Sequence, residues 1–179
     1  MSGTVSVCQG DVRNASIEGI ELKCPVLVEG RALRTDSAGA GKHRGGLGID
    51  TSVRNLIEGR WNFDHPKRAE CPPWGLWGGT AGTTADFLLR KPGENDFRSM
   101  DAIHYPVPVD SEVIVRTGGG GGLGDPLDRD VAAVRSDVIE EFVSRRFAEE
   151  AYGVVLRDDL TLDEVQTERR RNALRSGRG

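Results

Sequence analysis

The feature that most restricts the fold is where the glycines fall. Asp36 to Gly48 (DSAGAGKHRGGLG) holds five of them with no apolar period, and Thr117 to Pro126 (TGGGGGLGDP) holds six. Neither stretch suits a regular helix or strand, which interior glycine weakens. The first reads as a loop with several positions free to take positive φ. The second is bracketed by a strand candidate and by Asp125-Pro126, with no serine dilution. It therefore reads as a tight, packed turn, and Gly119, Gly120 and Gly121 would let a substrate or another subunit approach the backbone closely. Between them, Glu70 to Gly82 (ECPPWGLWGGTAG) has paired prolines and four glycines, a composition for an ordered, packed loop.

Around these loops the apolar residues alternate. Thr4 to Cys8 predicts a strand; Cys24 to Glu29 and Arg31 to Arg34 predict a hairpin or a bulged strand pair about Gly30. Thr51 to Phe63 predicts a hairpin about Glu58 and Gly59, and Phe87 to Leu89 and Glu112 to Arg116 predict short strands. The C-terminal third changes period. Val131, Val134, Val138 and Phe142 fall at helical spacing with Asp128 or Asp130 as cap. Ser144 caps a second helix through Phe147 and Tyr152 that stops at Gly153. Thr161 and Glu164 form a capping-box pair opening a third helix that runs into a charged tail. The expected class is α+β: a β-rich N-terminal two thirds with long glycine-rich loops, then two to three C-terminal helices. The expected division is residues 1–126, then a helical extension, 127–179, packing on them.

Composition narrows the function classes. A net charge of −4 gives no electrostatic footprint for nucleic acid, and no apolar run approaches a membrane span. With no signal-peptide pattern at the N-terminus, a cytoplasmic protein is expected. Cys8, Cys24 and Cys71 are odd in number and lack Cys-x-x-Cys spacing, so reduced, partly buried thiols are expected rather than disulfides or a zinc knuckle. With 37% hydrophobic residues in 179, the core is lean, and apolar faces completed by a partner are expected.

The loop GAGKHR invites a phosphate-binding reading, in which backbone N–H groups cradle an oxyanion and Lys42 adds charge. The spacing argues against it. A Walker A loop needs Gly where Asp36 stands and Ser or Thr where His43 stands; GxGxxG needs a third Gly where Arg44 stands. A structural or interface loop is the simpler reading. His43, His65 and His104 stand alone, so no metal site is signalled. His43, beside Lys42 and Arg44, is the best of the three for chemistry, against the blander reading of a hydrogen-bonded loop histidine. Ser37 lacks a nucleophile-elbow context. Trp74 and Trp77 are most simply a hydrophobic plug into the core or a partner, and less simply a substrate-stacking wall.

Taken together, GDVRNASIEGIELKCPVLVE, LRTDSAGAGKHRGGLG, PPWGLWGG and RTGGGGGLGDPLDRD with YGVVL, from Gly10 to Leu156, resemble in order and spacing the C-terminal part of hydantoinase B/oxoprolinase subunits. Ala38, Gly118 and Leu123 depart from the family's usual Gly, Pro and Tyr, and Gly118 is expected to loosen the second loop. The resemblance implies one subunit of an assembly that hydrolyses a cyclic amide (hydantoin, oxoproline or lactam) or carboxylates a ketone. It implies an A-type ATPase partner holding ATP with Mg, and a divalent metal, Mn or Zn, held by the N-terminal part of the B-type component; no cofactor is expected on this chain itself. That N-terminal part is expected on a separate polypeptide, as though a longer gene were split or truncated. Asp36, Lys42, His43 and Arg44 are then the expected catalytic loop at the reaction chamber or subunit seam, with Arg44 suited to clamp a carboxylate or phosphate. Trp74 and Trp77 would anchor the seam. The alternative is a non-catalytic scaffold module derived from such a subunit.

Overall fold

The computed structural model describes residues 16–63 and 71–177. The expected strand Thr4 to Cys8, and the residues Cys8 and His65, lie outside them. Strands β1 (Val26–Leu33), β2 (Ile49–Asn55), β3 (Gly59–Phe63), β4 (Asp86–Arg90), β5 (Arg98–Ser99), β6 (Ala102–Val107) and β7 (Glu112–Arg116) are followed by a 3-10 turn, Pro126–Asp128, and helices α2 (Val131–Ile139), α3 (Arg145–Tyr152) and α4 (Glu164–Ser176). One short helix, α1 (Ile17–Glu21), precedes β1. The α+β class holds, with three of the four helices following the strands.

Five strands form one antiparallel sheet in the order β1-β2-β7-β4-β5, and β3 and β6 form a two-stranded ribbon. The alternation read from sequence sorts the sheet's faces. Val53, Val113 and Leu89 point at the ribbon's Phe63 and Val107 and are buried there; the opposite face carries cross-strand ion pairs, Arg116 with Asp50 and Arg90 with Glu112, as expected for a sheet with one wet side. Phe63 sits edge-on to Phe87 and Tyr105, at 5.9 and 6.2 Å.

Two expected hairpins are absent. Residues 26–33 form a single strand with a bulge between Val28 and Gly30, not a strand pair. The segment Thr51 to Phe63 contributes β2 to the sheet and β3 to the ribbon, because Asn55 diverts the chain. Its buried side-chain amide donates to the carbonyls of Ile57, Val107 and Pro108. A hairpin would leave this amide unsatisfied in the core. Strands β5 and β6 had no sequence signal of their own.

The glycine segments are arranged differently from their sequence reading. β1 ends and β2 begins at Leu33 and Ile49, which pair; β7 ends at Arg116 opposite Asp50 and Asp86. All the glycine segments therefore leave the same end of the sheet, where they lie side by side and hydrogen-bond to one another. Gly118 to Gly122 runs through the middle. Gly119 and Gly122 donate to Thr83 and Thr80, Gly120 donates to Gly46, and Gly120 and Gly122 accept from Gly39 and Leu76. A turn would bond to itself, so this is a packed extended segment instead. None of the glycines from 39 to 48 has positive φ; in that stretch only Asp36 does, at 58°. The glycines are needed for space rather than handedness. A Cβ on Gly119, Gly121 or Gly122 would overlap the backbone of Ser37, Trp74 or Ala40. A Cβ on Gly118 would come within 2.9 Å of the Thr83 carbonyl oxygen, so this glycine is packed rather than loose.

Beyond this layer the helices build a second core of Val134, Val138, Val143, Ala148, Tyr152 and Val154, to which Ala40 contributes. Asp130 caps α2; Ser144 caps α3 through Phe147 N–H, and Gly153 ends it at φ 63°. The cap of α4 is Asp163, not Thr161, whose hydroxyl and N–H both turn to Asp159. The tail is held as helix to Ser176, because Arg171 donates to the carbonyls of Tyr152 and Arg129.

Candidate functional site

The four charged residues of the first glycine segment separate into two pairs. Asp36 faces the helices: its N–H donates to the Phe142 carbonyl at 3.1 Å, and its carboxylate accepts from Ser144 N–H, 2.7 Å away. Arg44 is also turned inward and is only 9% exposed. Its Nε meets Asp137 at 3.3 Å, its Nη1 donates to the Gly45 carbonyl, and its guanidinium lies 5.4 Å from the centre of the Phe142 ring. Asp137 also accepts from Arg129 at 2.8 Å, and Arg129 reaches back to the Lys42 carbonyl. A buried carboxylate shared by two arginines thus ties the glycine layer to α2.

Lys42 and His43 point the other way and are exposed. They are fixed through their backbone. His43 and Leu123 exchange both backbone hydrogen bonds, at 2.9 Å each, and Lys42 N–H donates to Gly124. Leu123 is flanked on its other side by Leu76, whose neighbours are the two tryptophans. Trp74, Leu76 and Trp77 are 77%, 52% and 84% exposed. Of the two places expected for the tryptophans, this chain's core or a partner, the first is not where they lie. Trp77 (φ 49°) and Gly78 (φ 93°) make a left-handed turn that carries the segment outward. The corner therefore joins two cationic or titratable side chains to an exposed apolar patch, all mounted on backbone locked from both sides. Leu76 and Leu123, which complete it, carried no sequence signal beyond being apolar among glycines.

Most N–H groups of the glycine segments are committed within the layer. The N–H groups of Gly39, Gly45, Gly119, Gly120 and Gly122 already donate to neighbouring carbonyls, so they cannot also cradle an oxyanion. Among the described residues no group of three His, Cys, Asp or Glu side chains converges. No helix among them is long and apolar enough to cross a membrane.

Comparison with known proteins places this arrangement. The sequence model for hydantoinase B/oxoprolinase matches residues 1–126. Caprolactamase subunit beta of Pseudomonas jessenii is 34% identical over 93% of this chain and 29% of its own length. An uncharacterized protein of Methanocaldococcus jannaschii is 32% identical over 88% and 28%. In solved structures, nucleotide-free acetone carboxylase superposes with a TM-score of 0.73 at 28% identity, covering 92% of this chain and 26% of that one. The ATP-dependent caprolactamase from Pseudomonas jessenii superposes at 0.70 and 29%, covering 88% and 28%. The chain thus spans less than a third of the relatives it matches. With the family model covering most of its length and the fold shared, the chain belongs to the hydantoinase B/oxoprolinase family.

Proposed function

We propose that this chain is the C-terminal part of a B-type component in an ATP-dependent, multi-subunit enzyme that hydrolyses a cyclic amide or carboxylates a ketone. The observation that carries the proposal is the exposed corner of Lys42, His43, Trp74, Leu76 and Trp77, mounted on backbone hydrogen-bonded through Leu123, Gly122 and Gly124. A site shared with another polypeptide needs such a rigid mount. Lys42 and His43 would face the reaction chamber or the seam, and Trp74 and Trp77 would anchor the seam. Gly119 and Gly121 act here as spacers that let the layer close, and Gly120 joins it by hydrogen bonds to Gly39 and Gly46. Asp36 and Arg44 serve as tethers to the helical extension from residue 127, which makes Arg44 unsuited to clamping substrate. ATP with Mg would reside on an A-type ATPase partner, and the divalent metal on the N-terminal part of the B-type component; cytoplasmic assembly fits such partners.

The test begins with mass spectrometry of the intact native complex, which is expected to recover an A-type subunit and the remaining B-type polypeptide. In that complex, Lys42→Ala and His43→Ala are expected to lower turnover by about ten- to a hundredfold, the scale on which misplaced reacting groups lose rate. Assembly and the tryptophan emission shift on association should be unchanged in both. Full turnover in both variants, with assembly intact, favours the scaffold reading and removes the corner from the active site.

A further inference from the structure

A second unfilled surface lies away from the Trp74 corner. The β3–β6 ribbon roofs only part of the sheet's apolar face, and beside it a cleft of about 690 Å³ is left open over β1, β2 and β7. Val26, Val53, Trp61 and Val115 form its floor and wall. None of its lining residues belongs to the corner described above. An apolar cleft of this size in water lowers stability unless something covers it.

The charges around it are one-sided. Among the described residues, Arg31 and Arg60 line the cleft and no carboxylate does. Arg60 donates to the His104 carbonyl, whereas the Arg31 guanidinium has no partner among the described residues. β1, which forms the rim, is exposed at every position from Glu29 to Leu33, little burial for a strand of eight residues. A second copy of this chain is a poor occupant by edge pairing. The Val28 N–H is already taken by the Glu21 carboxylate at 2.8 Å, and the bulge at Val28/Gly30 with Glu29 and Arg31 interrupts the edge. What is on hand to fill it is polypeptide: the relatives carry more than two thirds of their length outside the part this chain matches.

We propose that this cleft receives an apolar segment of the remaining B-type polypeptide, one that sets an acidic side chain against Arg31 and Arg60. The inference rests on the B-type reading above, and adds a second contact face to it. The thiols of Cys24 and Cys71 are exposed rather than partly buried as expected: Cys24 lines the cleft, and Cys71 lies three residues from Trp74. The two thiols therefore report the two faces separately.

The experiment is maleimide labelling of the native complex and of the purified chain, with each cysteine followed by peptide mass spectrometry. In the complex, Cys24 is expected to label at least about tenfold more slowly than in the purified chain, since a covered thiol reacts only through opening. Ile57→Asp, at a cleft position that is 53% exposed and so tolerant of change, is expected to restore fast Cys24 labelling while leaving Cys71 as it was. If Cys71 is protected in the complex and Cys24 is not, the cleft proposal falls and the seam at Trp74 stands. Protection of neither overturns both. Protection of Cys24 in the purified chain, with a dimer in the native mass spectrum, overturns it in favour of a second copy.

Discussion

Gly122→Ala isolates what the glycine layer requires. A Cβ at this position would fall inside 3.0 Å of the Ala40 carbonyl carbon and oxygen and at 2.9 Å from the Gly39 oxygen, all of them backbone. Neither side can yield freely. Thr80 N–H donates to Ala40 O at 2.7 Å and Ala40 N–H to the Thr80 hydroxyl, also at 2.7 Å; Gly122 N–H donates to Thr80 O and its carbonyl accepts from Leu76 N–H, both at 2.9 Å. Separating the two segments loses two or three of these bonds at about 1 kcal/mol each, on top of an overpacking cost of about 1–3 kcal/mol. The expected destabilisation is about 3 to 6 kcal/mol, which for a chain of this size corresponds to a fall in Tm of about 6 to 24 °C. Thermal unfolding followed by far-ultraviolet circular dichroism measures it. Gly30→Ala and Gly59→Ala, where an added Cβ meets nothing within 4 Å, are the controls and should stay within about 1 kcal/mol of the parent. Gly122→Asn separates the two roles a glycine can have. If left-handed backbone were the need, Asn would be tolerated better than Ala; if space is the need, Asn is worse. A parent-like Tm for Gly122→Ala, or a more stable Asn variant, refutes the close-packing account.

Asp137→Ala should cost about 3–5 kcal/mol, because it leaves Arg44 and Arg129 without the carboxylate they share inside the protein; urea unfolding measures this, and a loss below about 1 kcal/mol would mean that water compensates the arginines. The Tyr152 phenol is pushed up to about 12 by burial. The folded state therefore holds this proton between pH 10 and 12 while the unfolded chain releases it, so this group's contribution to stability declines as pH rises through that window. Tyr152→Phe should flatten the alkaline decline in Tm, and an identical pH profile for both proteins would show that the phenol is not coupled to folding.

Local chemistry was written in the sequence wherever a few neighbouring residues decide the outcome. Ser144 and Gly153 bound α3 because a hydroxyl satisfies Phe147 N–H and a residue without Cβ enters the left-handed turn. The period-two pattern of Glu112 to Arg116 gave its strand because one face had to be buried. The order and spacing of the glycine segments, PPWGLWGG and the following helix carried the family, since those segments make sense only together.

Long-range contacts decided the rest. Five glycines in thirteen residues look the same whether they supply positive φ or empty space, and only the Thr80, Leu123, Gly120 and Thr117 backbones lying against Gly39, Gly41, Gly45 and Gly48 show that space is the reason. Arg44 and Lys42, two residues apart in one charged loop, had equal standing as candidates; Asp137, ninety-three residues on from Arg44, draws it into the interior and leaves Lys42 at the surface. Trp74 and Trp77 had the composition of core residues and are the most exposed tryptophans of the chain's described part. Hydrophobicity in a sequence says that a side chain must be covered; it does not say by which polypeptide.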